Sequence, residues 1–137
     1  AKKRKGIRMY KELIISVIIL IFIFGLNYIT QENTDYTVDL ISQKLEILRK
    51  NILEDQTNRE QIIKHSNEVY DKWEELDDKM AFYIEHDELE KVKTALTSIK
   101  SFIEVEEYSQ SVEEIDKCAY ILDHIHEREM ISWDNIF

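Results

Sequence analysis

The chain has 137 residues, a formal net charge of −10 at pH 7, no proline and only two glycines, Gly6 and Gly25. Turn-rich β folds draw on both residue types, so this composition, with 34% charged residues, predicts helices joined by short polar turns. The single cysteine, Cys118, excludes an intrachain disulfide. Because it lies beside Ala119 of an apolar stripe, we expect it to be a buried, inert thiol.

Basic and acidic residues are distributed unevenly along the chain. Residues 1–29 hold 6 of the 18 Lys and Arg residues and 1 of the 28 acids, so residues 30–137 hold 12 basic and 27 acidic residues, a net charge of −15. A domain with that charge repels nucleic-acid phosphates and anionic lipid surfaces. Nucleic-acid binding is therefore a poor hypothesis for this chain.

Residues 13–29, with the sequence LIISVIILIFIFGLNYI, contain no charged side chain. As a helix they cover about 26 Å, near the lower limit for crossing a bilayer. The basic residues lie before this segment. The positive-inside rule then predicts that residues 1–12 form a short cytoplasmic tail, residues 13–29 a single-pass anchor in the cell membrane, and residues 30–137 an extracytoplasmic domain. A cleaved signal peptide is the alternative, although no clear cleavage site follows the apolar run.

Residues 30–137 contain four stripes of apolar residues at helical spacing. Each stripe defines one apolar face, so each helix needs a neighbour to cover it. The sequence thus predicts an all-α protein, in which one N-terminal transmembrane helix precedes a three- or four-helix antiparallel bundle or hairpin stack. The stripes run from Val38 to Ile52, from Ile62 to Tyr83, from Leu89 to Ile103, and from Val112 to Ile125.

Local sequence signals suggest where these helices begin. Three segments have the form of a capping box: Thr57–Glu60, Asp87–Glu90 and Ser111–Glu114. The ten-residue step from Ile52 to Ile62 keeps the heptad phase, so the sequence leaves open whether helices 34–54 and 58–84 are continuous. It also leaves open whether the anchor helix continues through Thr34.

Histidines are the first candidates for a metal site. His86 and His124 each lie beside acidic residues near a predicted helix end, and antiparallel packing would bring them close enough to share an ion with a carboxylate. His124 and His126 point to different sides of a helix, so these two cannot chelate together. The alternative is that each histidine caps helix carbonyls or pairs with a nearby acid. Because the closed ligand spacing of zinc motifs is missing, we predict no metal, no cofactor and no catalytic residue.

Residues 131–137, with the sequence ISWDNIF, form a segment rich in apolar side chains. Such a segment either folds back on the bundle or docks on a partner, since burial of its apolar surface is favourable in both cases. If it docks, the candidate partner-binding residues are Trp133, Asn135, Ile136 and Phe137.

Several of these features occur together in one known family. They are the basic start and apolar anchor of residues 1–29, Trp73 in a long amphipathic helix, Tyr83–Leu89 (YIEHDEL), Leu122–Glu127 (LDHIHE) and Asn135–Phe137 (NIF). On these residues the chain resembles the small bacterial membrane-anchored helical proteins grouped as domain of unknown function 4363. The resemblance implies no catalytic residues, since the activity of that family is not established. It also implies an association with small membrane proteins that carry a YetF-type domain.

Our leading functional hypothesis is a non-enzymatic accessory or structural subunit that contacts another integral membrane protein. The alternative is an extracytoplasmic ligand- or cation-sensing helical module, which would need a cleft or inward-facing polar residues. We do not expect an enzyme, because the sequence offers no set of nucleophile, base and stabilising group. A homo-oligomer is compatible with the sequence, and the identity of a partner is left open.

Overall fold

The computed structural model describes the backbone of residues 2–82 and 84–134, and the side chains of residues 3–82 and 84–129. These residues form helices and connecting turns, without a strand, which confirms the predicted all-α class. The helices are α1 (Lys2–Glu54), α2 (Arg59–Met80), α3 (His86–Glu104) and α4 (Tyr108–Asp134). They group into two compact units, residues 1–33 and residues 34–137, and α1 contributes to both. We call residues 34–137 the helical domain.

The first unit is the N-terminal part of α1. Every side chain of residues 7–29 is exposed, although most of them are large and apolar. Among the described helices, α1 is long and apolar enough to cross a membrane. Inside this segment the hydroxyl of Thr30 donates to the carbonyl of Leu26 at 2.7 Å, and Ser16 bonds Glu12 in the same way at 2.9 Å. Such i−4 bonds satisfy polar side chains within a single helix.

The structure answers both questions that the sequence left open about α1. The helix continues through Thr34 without interruption, and it ends at Glu54. Asp55 makes the break, because its carboxylate accepts from the backbone N–H of Thr57 at 3.0 Å and also from the Thr57 hydroxyl. This local bonding competes with helix continuation. The first two helices of the domain are therefore separate.

Each predicted capping box is displaced from the true helix start. The cap of α2 is Asn58, whose Oδ1 accepts from the Gln61 N–H at 3.4 Å while its Nδ2 donates to the Gln61 side chain at 2.7 Å. Thr57 cannot serve, because its hydroxyl is bonded to Asp55. Helix α3 begins at His86, so Asp87 lies inside its first turn. Ser111 lies inside α4 and donates to the carbonyl of Tyr108 at 2.7 Å.

The core of the helical domain is built from the predicted apolar stripes. The stripes of α1, α2 and α3 are buried as expected, with Trp73 fully buried at the centre of the α2 stripe and Tyr83 outside the described residues. In α4, Ile115, Leu122 and Ile125 are buried as predicted, but Ser111 and Cys118 are buried in place of Val112 and Ala119. The predicted burial of Cys118 is confirmed.

Side-chain pairs between helices show the topology of the domain. Between α1 and α4, Arg49 lies 2.8 Å from Asp116 and an earlier α1 residue, Asp35, pairs with the later His126. Pairs between α2 and α3 and between α3 and α4 run in the same antiparallel sense. The domain is thus an antiparallel helical bundle with short connections.

Candidate functional site

Charged side chains from three helices gather at one end of the helical domain, the end at which the chain enters at Thr34. We call it the Thr34 end. Asp35 of α1 and His126 of α4 meet there, with Oδ1 of the carboxylate 2.8 Å from Nδ1 of the imidazole. Both side chains are about one-third exposed. Their contact fixes the register of the first and last helices of the domain.

Glu129 lies one turn beyond His126 on α4 and is partly buried. Its burial raises the pKa of its carboxyl, and the negative charge of Asp35 raises it further. Glu129 therefore becomes protonated at a higher pH than an exposed glutamate does. The Thr34 end thus combines a histidine–carboxylate pair with a second carboxyl group, that of Glu129. Burial disfavours the charged form of this group.

Arg128 ties the α2–α3 connection to α4 at the same end. Its guanidinium donates to both carboxylate oxygens of Glu85, at 3.0 and 3.2 Å, a forked geometry that is stronger than a single hydrogen bond. It also lies 3.6 Å from Glu88, whose side chain is only 10% exposed. Lys91 donates to the same Glu88 oxygen at 3.0 Å. Two cations therefore compensate the most deeply buried carboxylate of this end.

The two histidines proposed as metal candidates are both on the surface. His86 begins α3, is 79% exposed, and has its Nε2 3.1 Å from Glu90. His124 is exposed on α4. Across the described residues, no three His, Cys, Asp or Glu side chains gather in a way that would hold a metal ion. His86 makes the local acid pairing that the sequence offered as the alternative.

One of the candidate partner-binding residues lies at the end of α4. Trp133 is on the last helical turn, where its side chain is not among those described, and Asn135, Ile136 and Phe137 lie outside the described residues. Since α4 reaches Asp134, it continues eight residues, about 12 Å, beyond His126. His126 is level with Asp35, so this last part of α4 extends beyond the Thr34 end.

Two open grooves run between helices of the domain. One, of about 540 Å³, lies between α3 and α4 and is lined mainly by charged and hydroxyl side chains. The other, of about 500 Å³, lies between α1 and α4 and includes His126. The α3–α4 groove is lined by Asp87, Glu90, Lys91, Thr94, Ala95, Ser98, Glu114, Lys117 and Ile121.

The family model described as a domain of unknown function, DUF4363, matches residues 27–136. The chain belongs to the DUF4363 family. No curated protein and no solved structure matches it. The DUF4363 match spans the whole bundle and begins within the apolar segment, so Asp35, Glu85, His126 and Arg128 all lie inside it. The resemblance read from the sequence is therefore confirmed, and the family description assigns no activity to these residues.

Sequence reasoning missed the charged cluster of the Thr34 end. Asp35 and His126 are far apart in the sequence, and only the packing of α1 against α4 brings them together. The available signal was indirect, because both residues lie close to a residue of an apolar stripe. Asp35 is three positions before Val38, and His126 is one position after Ile125. Side chains at such positions lie at the edge of a helix interface.

Proposed function

We propose that this DUF4363 protein is a membrane-anchored accessory or structural subunit without enzymatic activity, which acts by contact with another integral membrane protein. The observation that carries the proposal is the extension of α4 beyond the Thr34 end. α4 reaches Asp134 on the side of the domain from which the chain leads to the apolar part of α1.

The proposed anchor is residues 13–29. Its support is the exposure of large apolar side chains at every position of residues 13–24 except Ser16, a surface that soluble monomers rarely present to water. The basic residues that precede this segment favour a cytoplasmic N-terminus and an extracytoplasmic helical domain. Fusion of a reporter to each end of the chain tests this topology. A cytoplasmic C-terminal reporter would overturn the orientation.

The distance that the chain can span between the apolar segment and the domain indicates the class of partner. Thr34 is five positions after Ile29, so the domain begins at most about 18 Å from the end of the apolar segment. Since α4 reaches Asp134 at this end, we place the proposed contact through residues 131–137 near the membrane surface. A partner that meets them there is itself a membrane protein. A protein with a YetF-type domain is the partner that the family resemblance suggests.

Cross-linking in native membranes tests this proposal. The full chain carries a tag on its N-terminal side, and the captured proteins are identified by mass spectrometry. We expect one membrane protein in stoichiometric amount, and its loss when residues 133–137 are deleted. The matched control is Val105→Ser, which changes an exposed apolar residue in the α3–α4 turn at the opposite end of the bundle. Recovery of the chain alone, or as a homo-oligomer, would contradict the proposed contact.

A second candidate function is the sensing of a ligand or cation outside the cytoplasm. The α3–α4 groove favours it, because its volume suits a small molecule and both Lys91 and Lys117 line it. A ligand of this kind would raise the melting temperature of the full chain in detergent. Lys117→Ala should abolish that rise, whereas Lys50→Ala, on a different helix, should preserve it. If small anionic metabolites and divalent cations leave the melting temperature unchanged, this candidate fails.

A further inference from the structure

Among the described residues of the connection between α2 and α3 is a large aromatic side chain that is exposed. Phe82 is 91% exposed, the highest exposure among the large apolar residues of the described chain. Ile84 in the same connection is buried in the core, and its N–H bonds to the carbonyl of Met80 at 2.9 Å. The turn thus holds one apolar side chain inside the domain and leaves the other outside.

A short series of contacts places Phe82 at the Thr34 end. Glu85, three residues after Phe82, forms the forked ion pair with Arg128. Arg128 lies two residues beyond His126, which is in contact with Asp35. Phe82 therefore belongs to the end of the bundle at which the chain enters from the apolar part of α1. Tyr36, one residue after Asp35, is also largely exposed there.

We propose that the Thr34 end rests on the bilayer surface, with Phe82 inserted at the boundary between lipid headgroups and acyl chains. The inference rests on the proposed anchor, because the anchor holds this end within about 18 Å of the apolar segment. Proteins bound to a membrane surface bury apolar side chains such as Phe at that boundary, and a ring exposed to water gains from the transfer. The occupant that we assign to this surface is lipid, rather than a second protein.

The charges beside Phe82 indicate which headgroup charge the lipid surface should carry. Near the connection, Arg128 pairs with both Glu85 and Glu88, and Lys91 pairs with Glu88 as well. This pairing reduces the charge that would have to approach the headgroups. The domain as a whole remains strongly acidic, which disfavours an anionic surface. The matching surface is therefore a zwitterionic one, such as phosphatidylcholine.

Insertion of Phe82 would give the domain a second attachment beside its covalent connection. Two attachments at the same end restrict the tilt and rotation of the bundle about the anchor. They would also fix the direction in which residues 131–137 approach a partner. The inferred lipid contact thus sets the geometry of the proposed protein contact.

Site-specific fluorescence on the full chain tests the inference. Phe82→Cys is labelled with an environment-sensitive thiol dye, and the chain is reconstituted in phosphatidylcholine vesicles that contain nitroxide-labelled lipid. Cys118 is buried and leaves the new thiol as the reactive one. The matched control is Val105→Cys, since Val105 is 64% exposed in the turn at the opposite end. We expect the dye at position 82 to be quenched several-fold more than the dye at position 105.

A second measurement keeps an aromatic ring at position 82. In a Trp133→Phe background, Phe82→Trp gives an interfacial reporter, and Trp73 remains fully buried. Brominated phosphatidylcholine should quench the new tryptophan and should leave the emission of the background variant unchanged. Replacement of half of the phosphatidylcholine by phosphatidylglycerol should reduce this quenching.

The outcomes separate this inference from the proposed function. If the chain fails to float with the vesicles, the proposed anchor is wrong. If it floats but positions 82 and 105 are quenched equally, the lipid contact of Phe82 is wrong and the anchor stands. If the emission of the dye at position 82 is blue-shifted but nitroxide-labelled lipid does not quench it, the dye is buried against protein. That result also overturns the inference.

Discussion

Oδ1 of Asp35, near the start of the helical domain, lies 2.8 Å from Nδ1 of His126 on the last helix. The pair joins the two helices that are farthest apart in the sequence. Arg49 and Asp116 join the same helices at 2.8 Å nearer the other end. These two pairs hold α1 and α4 in antiparallel register along the length of the domain.

We predict that Asp35 and His126 are energetically coupled. A double-mutant cycle with Asp35→Ala and His126→Ala should give a coupling free energy of about 0.5–1 kcal/mol, because the pair is only partly buried. The measurement is urea denaturation of the full chain in detergent at pH 6. The control cycle uses Lys50 and Glu54, an exposed pair whose atoms lie 3.8 Å apart, and should give a coupling near zero. Equal coupling in the two cycles would show that the Asp35 contact contributes nothing specific.

We predict that Glu129→Gln stabilises the protein at neutral pH. The pKa of Glu129 is raised in the folded state, so folding favours its protonated form. Stability from this group is therefore greatest at low pH and is lost as the pH rises through the folded-state pKa. Glutamine removes that loss, so the gain should be absent near pH 4 and reach less than about 1 kcal/mol at pH 7.

The measurement for Glu129→Gln is the free energy of unfolding between pH 4 and pH 7. Glu127→Gln is the matched control, because Glu127 is an exposed carboxylate on the same helix. If the free energy of unfolding of Glu129→Gln equals that of the wild type at every pH, the raised pKa of Glu129 is contradicted. Asp77 is also partly buried with a raised pKa, and it contributes the same sign of pH dependence to both proteins.

The fold was predictable from the sequence to the extent that helical periodicity decides it. The stripe from Val38 to Ile52 is buried as predicted, since one apolar face determines which residues turn inward. In α4 the sequence also fits a stripe through Val112 and Ala119. The structure instead buries Ser111 and Cys118, which share one helix face with Ile115, Leu122 and Ile125 at alternating spacings of four and three residues.

The candidate site was less predictable, because it depends on which helices become neighbours. Nothing local to Asp35 indicates His126 as its partner, and the pair exists only when α1 packs on α4. The exposure of Phe82 is a similar case. Its neighbours Met80 and Ile84 are both buried, and only the path of the turn decides which of the three apolar side chains faces outward.

We predict that Asn58, rather than Thr57, caps α2. Asn58→Ala should destabilise the protein by about 0.5–2 kcal/mol, because it leaves the Gln61 N–H without its side-chain acceptor. Ser substitution at position 58 should restore most of the loss, since serine is also a good cap. The measurement is the urea midpoint of the full chain in detergent. An alanine variant as stable as the serine variant would count against the cap.

We predict that the thiol of Cys118 reacts only after the domain unfolds. Its side chain is fully buried on α4, and burial raises its pKa to about 12. Both effects keep the thiolate, the reactive form, scarce at pH 8. A water-soluble thiol reagent should therefore modify the native chain at least a hundredfold more slowly than the chain in 8 M urea. Val105→Cys in the same buffer should react at the rate of a small free thiol, since Val105 is exposed at the end of the bundle opposite the proposed lipid contact. Rapid modification of Cys118 in the native chain would mean that α4 opens readily.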